Sequence, residues 1–171
     1  MKVSLRLDVA VFDARNIIKW LRNKDVTQYL NEDENNALAL EHLINTGQAG
    51  LLTYHLNQNS RFFLLDNEDE KCLGFITLFT IKEKQEYEVV IAIGEPENWG
   101  KQIGYHALKT IMNKVFFEWR INKLVAKIYV DNQRSIRLFG HLGFTGERLN
   151  GSYILFSITF DEYLKHLKNS K

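Results

Sequence analysis

The sequence has very few of the residues that define disulfide-linked and metal-stabilised proteins. Among its 171 residues there is one cysteine, Cys72, and one proline, Pro96. A single cysteine cannot form a disulfide within the chain, and it excludes a zinc site that takes two or more cysteines from this chain. Three of the histidines, His42, His55 and His166, have no metal-ligand spacing. We therefore expect a reducing compartment and no metal site.

The chain also lacks an excess of charge and a long apolar run. Lys and Arg number 22 and Asp and Glu 21, a net charge of +1, so we expect no nucleic-acid or membrane partner. The N-terminus lacks the apolar stretch, roughly 7–15 residues long, of a signal peptide. No run approaches the roughly 20 apolar residues of a membrane span. These absences predict a cytoplasmic protein.

What is present fits one folded domain over residues 1–171. The apolar share of 45% is enough for a substantial core at this length, and no repeat or linker divides the chain. Apolar residues that alternate predict strands, and apolar residues at helical spacing predict helices. The predicted strands are 3–8, 61–65, 72–81, 87–93, 123–130 and 151–160. The predicted helices are 14–22, 36–46, 103–119, 133–142 and 162–168, the last one capped by Asp161.

The order of these elements predicts an α/β or α+β domain. One strand and two helices come first, three strands joined by short polar connections follow, and a β-α-β arrangement ends the chain. Hairpin-joined strands pair antiparallel, whereas a β-α-β unit pairs its strands in parallel. The sequence therefore predicts a mixed, mostly antiparallel sheet with helices on both faces.

An apolar strand, a loop and the longest amphipathic helix follow one another from Val89 to Trp119. The loop and the start of the helix, residues 94–104, have the sequence GEPENWGKQIG. The first N–H groups of a helix have no intrahelical acceptor, and the helix dipole adds partial positive charge. Lys101 can add a full charge. This helix start is therefore typical of a phosphate-binding site.

Two common phosphate-binding patterns do not fit this loop. In a P-loop four residues separate the glycines, but five separate Gly94 from Gly100, and Gln102 stands where Ser or Thr should bind the metal. The dinucleotide pattern GxGxxG is absent because the spacing from Gly100 to Gly104 is wrong. The residues predict a pyrophosphate loop of a third kind.

The loop resembles the acyl-CoA loop of the GNAT superfamily of N-acetyltransferases, and in particular its RimJ/RimL-like branch. The residues that carry the resemblance are Pro96, Glu97, Trp99, Gly100, Lys101 and Gly104. Gln102 departs from the pattern, since the family usually has glycine there. A glutamine can still offer its backbone N–H, provided that its φ angle suits a residue with a side chain. The segment 20–26, WLRNKDV, is also similar to the opening of many chains of this branch.

A second segment at the expected distance strengthens the resemblance. Residues 130–144, VDNQRSIRLFGHLGF, are similar to the family pattern N-x-x-S-I-x-L-Y-x-x-x-G-F. Asn132 and Ser135 stand where a strand ends and a helix starts, so their side chains can cap the helix or contact a ligand. Phe139 occupies the position of the family's tyrosine. The resemblance covers residues 88–144 well and predicts an acetyl-CoA-binding core over about 86–145.

The resemblance implies a GNAT-type fold with a splayed strand pair, and acetyl-CoA as co-substrate. Backbone groups of Ile91, Ala92 and Ile93 would pair with the pantetheine arm and polarise the thioester carbonyl. Asn132 and Ser135 would contact the same arm. The pyrophosphate would be held by the loop residues Trp99, Gly100, Lys101, Gln102, Ile103 and Gly104. Trp99 has an alternative role, which is packing against the sheet.

The implied reaction is attack of a neutral amine on the acetyl thioester. Glu88 is the candidate general base, because some relatives carry a glutamate on this strand; the alternative is a solvated strand residue. The family's tyrosine protonates the leaving thiolate, and Phe139 has no proton to give. Ser135, Tyr129 and Tyr153 are candidate substitutes, directly or through water.

Three functions remain open at this point. The first is N-acetylation of a primary amine, which can be a protein N-terminus, a polyamine, an aminoglycoside-like drug or another small metabolite. The second is a non-catalytic acyl-CoA-binding or sensing module, which the departures at Gln102 and Phe139 favour. The third is a nucleotide-binding protein without acyl transfer. The acidic run 31–36 is either a solvated loop or a surface that attracts a cationic amine, and homodimers are common among relatives.

Overall fold

The strands of the protein form one mixed sheet. The computed structural model describes residues 2–30, 35–82, 85–148 and 151–170. Seven strands in this part of the chain follow the order β1-β2-β3-β4-β5-β7-β6. Their bounds are β1 Ser4–Arg6, β2 Arg61–Asp66, β3 Cys72–Lys82, β4 Glu86–Ile93, β5 Lys123–Tyr129, β6 Thr145–Arg148 and β7 Tyr153–Thr159. β4 and β5 pair in parallel, whereas β1–β2, β2–β3, β5–β7 and β6–β7 are antiparallel. The predicted mixed, mostly antiparallel sheet is confirmed.

Seven α-helices accompany the described strands. Their bounds are α1 Val11–Leu21, α2 Lys24–Thr27, α3 Asn35–Asn45, α4 Leu52–Leu56, α5 Ile103–Asn113, α6 Gln133–His141 and α7 Phe160–Asn169. Short 3₁₀ turns lie at Ala49–Leu51 and Pro96–Asn98, and a π-helical turn at Lys114–Glu118 follows α5. The predicted helix 103–119 is therefore an α-helix that ends in a π turn.

The chain divides into two compact units. The first comprises Met1–Leu78 with Val90–Thr110, and the second comprises Phe79–Val89 with Ile111–Lys171. β3, β4 and α5 each contribute residues to both units. One domain over residues 1–171 stays a prediction.

The core of the first unit lies between its helices and the buried face of β2 and β3. Ile17, Trp20 and Leu40 from α1 and α3 are at most 2% exposed. Phe62 stacks on Phe75 with ring centroids 5.2 Å apart. Ile17 and Trp20 lie three residues apart on α1, the spacing at which a helix buries one face, whereas β2 is buried on both faces from Phe62 to Asp66.

Arg6 ties three elements of the first unit together. Its guanidinium donates to Asp66 of β2 at 2.6 Å and to Asp13 of α1 at 2.8 Å. Asp13, which is 5% exposed, also accepts from the N–H of Ala10. Burial alone would raise the pKa of Asp13, but the hydrogen bonds from Arg6 and Ala10 and the positive charge of Arg6 outweigh it. The pKa of Asp13 therefore lies below its ordinary value.

Cys72 is a core residue of β3. It is 9% exposed, and burial raises the pKa of its thiol to about 11. Such a thiol stays protonated at neutral pH, so it is a poor nucleophile.

In the second unit the C-terminal helix packs on the end of α5. Phe116, in the π turn, stacks on Tyr163 with ring centroids 5.2 Å apart. The hydroxyl of Tyr163 donates to Asn113 at 2.8 Å. β5 and β7 pair over their whole length, from Lys123 opposite Thr159 to Tyr129 opposite Tyr153.

The predicted cap of α7 is wrong, and three of the described elements were not predicted. Helix α7 is capped by Thr159, whose side chain pairs reciprocally with Glu162, and Asp161 lies inside the helix. The strand β6 and the short helices α2 and α4 were not predicted, because none of them shows a clear apolar period. The residues 31–34 of the acidic run lie outside the described part of the chain, and Asn35 and Asn36 begin α3.

Candidate acyl-CoA site

The end of β4 is closely approached by its neighbours in the first unit. The N–H of Gly94 donates to the carbonyl of Leu73 at 2.9 Å. A Cβ at Gly74 would lie 2.0 Å from the carbonyl oxygen of Ala92, and a Cβ at Gly94 would lie 1.9 Å from the indole of Trp20. Only glycine fits at these two positions. The course of β4 into the loop is thus fixed on two sides.

The segment that follows β4 is a short turn closed by Trp99. Pro96–Asn98 form a 3₁₀ turn, in which the N–H of Asn98 donates to the carbonyl of Glu95. The indole Nε1–H of Trp99 donates to the carbonyl of Ile93 at 2.9 Å. The half-buried Trp99 side chain is therefore bonded to the strand that precedes the loop.

Glu95 connects this turn to α1. One carboxylate oxygen accepts from Trp20 Nε1 at 3.0 Å and from Lys19 Nζ at 2.6 Å. The hydrogen bonds from Lys19 and Trp20 hold the pKa of Glu95 below its ordinary value. Lys19 is largely exposed, whereas Trp20 is 2% exposed. The carboxylate thus joins the loop to a buried indole.

The loop ends in two residues with left-handed backbone conformation. Gly100 has a φ of +78° and Gln102 a φ of +61°. The carbonyl of Gln102 accepts the N–H of His106, so Gln102 occupies the N-cap position directly before α5. By helix geometry, the N–H groups of Ile103, Gly104 and Tyr105 have no intrahelical acceptor. Gln102 adopts the conformation that a glycine would take most easily, which costs about 1–2 kcal/mol for a residue with a side chain.

Lys101 lies between the two left-handed residues. Its side chain is exposed, and Nζ is 3.4 Å from Asn98 Oδ1. The helix start therefore combines peptide N–H groups, the positive end of the helix dipole and a lysine charge. These groups fit a diphosphate, which accepts hydrogen bonds and is negatively charged.

In the second unit Glu88 belongs to a short parallel ladder. β4 and β5 pair at Glu86 with Lys123, Tyr87 with Leu124 and Glu88 with Val125. The described pairing ends at Glu88, although β5 continues to Tyr129. A short ladder of this kind is what a splayed strand pair requires.

Glu88 itself is paired with a cation. Lys127 Nζ lies 3.1 Å from Glu88 Oε2, and the Glu88 side chain is 14% exposed. The carboxylate is therefore largely screened from water and close to a positive charge. Sequence reasoning missed Lys127, although its position two residues after Val125 puts it on the same face of β5.

Asn132 and Ser135 are joined at the start of α6. Asn132 is the N-cap residue, and its side-chain oxygen accepts from the N–H of Ser135 at 3.2 Å. Phe139, one turn further on, is 2% exposed and packs edge-to-face on Phe144 with centroids 5.0 Å apart. A phenylalanine suits this apolar position better than a residue with a hydroxyl group.

The hydroxyl groups of Tyr129 and Tyr153 meet across β5 and β7. The two residues are directly opposite in the ladder, and their ring centroids are 4.2 Å apart. The hydrogen bond with Tyr129 raises the pKa of Tyr153 above its ordinary value.

The described residues contain neither a metal-binding cluster nor a helix that could span a membrane. No group of three or more His, Cys, Asp and Glu side chains in residues 2–30, 35–82, 85–148 and 151–170 is placed to hold a metal ion. Among the helices of this same part, none has the length and apolar content to cross a membrane.

Comparison with known proteins identifies the fold and the family. Residues 5–145 match the family model described as "Acetyltransferase (GNAT) domain". A spermidine N-acetyltransferase from Vibrio cholerae, solved in complex with CoA and spermine, is similar with a TM-score of 0.75 and 22% identity over 95% of this chain and 98% of that one. An acetyltransferase of the GNAT family from Bacillus anthracis is similar with a TM-score of 0.73 and 15% identity over 94% and 96% of the two chains.

A curated relative adds a local sequence match. An "N-acetyltransferase 9-like protein" from Nematostella vectensis is 35% identical over 82 residues, which are 47% of this chain and 41% of that protein. The match thus spans about two fifths of the length of this relative.

Proposed function

Because the chain belongs to the GNAT acetyltransferase family, a family of acyltransferases that use acetyl-CoA, we propose that it transfers an acetyl group from acetyl-CoA to a primary amine. The observation that carries the proposal is the start of α5. Gly100 and Gln102 both have positive φ there, and the N–H groups of the first helical turn follow directly. This arrangement suits the diphosphate of coenzyme A.

The pyrophosphate is assigned to the loop and first turn, where the proposed contacts are Trp99, Gly100, Lys101, Gln102, Ile103 and Gly104. Their backbone N–H groups donate to phosphate oxygens, and Lys101 adds charge. The hydrogen bond from Trp99 to Ile93 supports a positioning role for the indole in this set. Gln102 contributes its N–H because its φ of +61° lies in the left-handed region that glycine adopts most easily.

The pantetheine arm is assigned to the backbone of Ile91, Ala92 and Ile93, together with Asn132 and Ser135. An extended arm can pair with a strand as an added strand does. The cap bond to Ser135 uses the oxygen of the Asn132 amide. The amide nitrogen of Asn132 is the group proposed to donate to an acceptor on the arm.

Acetyl-CoA supplies the thioester that is cleaved. Glu88 acts as general base and takes a proton from the ammonium form of the acceptor, directly or through water. A free amine of the lysine type has a pKa of about 10.4, so only about one molecule in a few thousand is neutral at pH 7. The nitrogen then forms a bond to the acetyl carbon and loses a second proton, the C–S bond breaks, and the sulfur takes a proton.

Phe139 cannot supply that last proton, so another donor or water must do so. Ser135, Tyr129 and Tyr153 are the candidates. The thiol of coenzyme A has a pKa of about 8.5, like that of free cysteine, so its thiolate leaves without obligatory acid assistance. The hydrogen-bonded pair of Tyr129 and Tyr153 supports a relay in which the donor to sulfur is replenished by its neighbour.

For the acceptor we propose a small amine of the polyamine class, with protein N-termini as the alternative. The V. cholerae enzyme of similar fold is a spermidine N-acetyltransferase. A cytoplasmic location, a RimJ/RimL-like lineage and a homodimer are further proposals. The second candidate function, a non-catalytic acyl-CoA-binding module, is favoured by the buried phenyl ring at position 139.

Calorimetry and a turnover assay separate these functions. We expect coenzyme A to bind and acetyl-CoA to release free thiol with at least one amine of a panel that includes spermidine, aminoglycosides and peptide N-termini. Binding without thiol release above hydrolysis would support the binding module. No heat with coenzyme A at high concentration would overturn both.

A further inference from the structure

We propose that Glu95 and Trp20 are positioning residues for the acyl-CoA loop, through the hydrogen bond between the Trp20 indole and the Glu95 carboxylate. The inference rests on the proposed function, since it concerns the loop assigned to the pyrophosphate. Neither residue belongs to the family patterns that identify the loop, and Trp20 lies 75 residues away in the sequence.

The turn between β4 and α5 is fixed by hydrogen bonds from two tryptophan side chains. Between β4 and α5 the chain is bonded at both ends of a short segment: Trp99 donates to Ile93, and Trp20 donates to Glu95. The carbonyl of Glu95 accepts the N–H of Asn98, and that of Pro96 accepts the N–H of Trp99. The segment is therefore held by two indoles and its own 3₁₀ turn.

The backbone at Gly94 packs against the ring of Trp20. A Cβ at this position would lie 1.9 Å from the Trp20 ring, so the backbone rests directly on the indole. The Gly94 N–H is also bonded to Leu73. Because Trp20 is 2% exposed and its ring contacts the backbone beside Glu95, its N–H can fix the carboxylate with little freedom.

Glu95 lies in the segment that leads into the proposed pyrophosphate loop. Glu95 lies five residues before Gly100, where the left-handed backbone begins. A loop that binds an anion through backbone N–H groups needs those groups in place beforehand, since ordering them on binding costs free energy. Release of Glu95 should therefore weaken coenzyme A binding without removing any group that contacts it.

Lys19 is not required for this role. Its Nζ also contacts Glu95 at 2.6 Å, but 63% of its side chain is exposed, and exposed ion pairs stabilise little. The Trp20 indole donates from a buried position instead. The hydrogen bond from the uncharged indole and the ion pair with Lys19 can thus be tested separately.

The test compares three variants at Glu95 and Lys19. In E95L the acceptor is lost at nearly constant volume, and we expect the Kd for coenzyme A and the KM for acetyl-CoA to rise about five- to ten-fold. The KM for the amine and kcat at saturating acetyl-CoA should change less than about two-fold. E95Q keeps an oxygen for the indole and should recover most of the affinity. K19M, the matched control for the ion pair, should bind coenzyme A like the wild type.

A fourth variant shows whether the indole is the donor. W20F removes the N–H and keeps an aromatic ring, and it should raise the Kd for coenzyme A as E95L does. The double variant W20F/E95L should be no weaker than the worse single variant, because both remove one interaction. Thermal melts identify any variant that is unfolded at the assay temperature, and E95L at the loop surface remains informative if W20F fails to fold.

Several results of these experiments would contradict the positioning role of Glu95 and Trp20. Wild-type affinity in folded E95L, or an E95Q as weak as E95L, overturns the positioning role while the proposed function stands. A wild type that does not bind coenzyme A overturns both. An E95L variant with an unchanged KM for acetyl-CoA and a lower kcat would also contradict the inference.

Discussion

Lys127 Nζ lies 3.1 Å from Glu88 Oε2, and both side chains stand on the same side of the parallel pair β4–β5. The candidate base therefore has a cation next to it before any substrate arrives.

The first prediction concerns Glu88. We expect E88Q to lower kcat at neutral pH by about ten-fold or more, because the amide cannot take the proton of the amine. The loss should shrink at high pH, where more of the acceptor is already neutral. Steady-state rates of E88Q and wild type from pH 6 to pH 10 measure the loss of kcat and its dependence on pH. K127M is the control, since it removes the ion pair and keeps the carboxylate; an equal loss in both variants would assign Glu88 a structural role.

The second prediction concerns the left-handed residue at the start of α5. Q102G relieves a conformation that costs about 1–2 kcal/mol, and the greater freedom of glycine in the unfolded chain offsets about half of it. The free energy of unfolding should rise by about 0.5–1 kcal/mol, measured by urea denaturation. K101G is the control. Lys101 is not among the described residues with positive φ, so glycine should destabilise there.

The third prediction compares two glycines with different surroundings. G74A places a Cβ 2.0 Å from the Ala92 carbonyl oxygen, and we expect it to destabilise the protein by about 3 kcal/mol or more. Gly140 lies exposed in α6, where a Cβ meets no atom within 4 Å. G140A should stabilise the helix by about 0.5–1 kcal/mol. Thermal melts of both variants measure these changes in stability. A G74A variant as stable as the wild type would show that β3 and β4 can move apart.

The fourth prediction concerns Arg6 and the pH. Because its partners Asp13 and Asp66 are nearly buried, R6M should lower the free energy of unfolding by about 3 kcal/mol at pH 7. The pKa of Asp13 is depressed in the folded protein, so its contribution is present above the ordinary aspartate pKa and is lost as pH falls below about 4. The difference in the free energy of unfolding between wild type and R6M should therefore narrow from pH 7 to pH 3.5. A difference independent of pH would attribute the loss to the packing of the arginine stem alone.

The elements that bury an apolar face were predictable from the sequence. β3, β4 and α5 were placed within a few residues because their apolar residues repeat at the period of a strand or a helix. β6 was missed because all four of its residues, from Thr145 to Arg148, are exposed and no alternation marks them. The cap of α7 was assigned to Asp161, although Thr159 and Glu162 have the spacing of a capping box.

The local part of the candidate site was also predictable, whereas its long-range contacts were not. The loop from Trp99 to Gly104 is contiguous, so its pattern is visible in the sequence. The bond from Trp20 to Glu95 joins residues whose types and spacing give no signal before the chain is folded. The same holds for Lys127 and Glu88, which meet only because β4 and β5 pair in one register.

The placement of the indoles also has a spectroscopic consequence. Two of the three tryptophans, Trp20 and Trp99, donate hydrogen bonds to Glu95 and Ile93, directly before the turn Pro96–Asn98. Trp119 is in the other unit, where its ring lies 6.1 Å from that of Tyr87. The intrinsic ultraviolet emission of the chain is therefore weighted toward this turn, and a rearrangement there alters the emission without an attached dye.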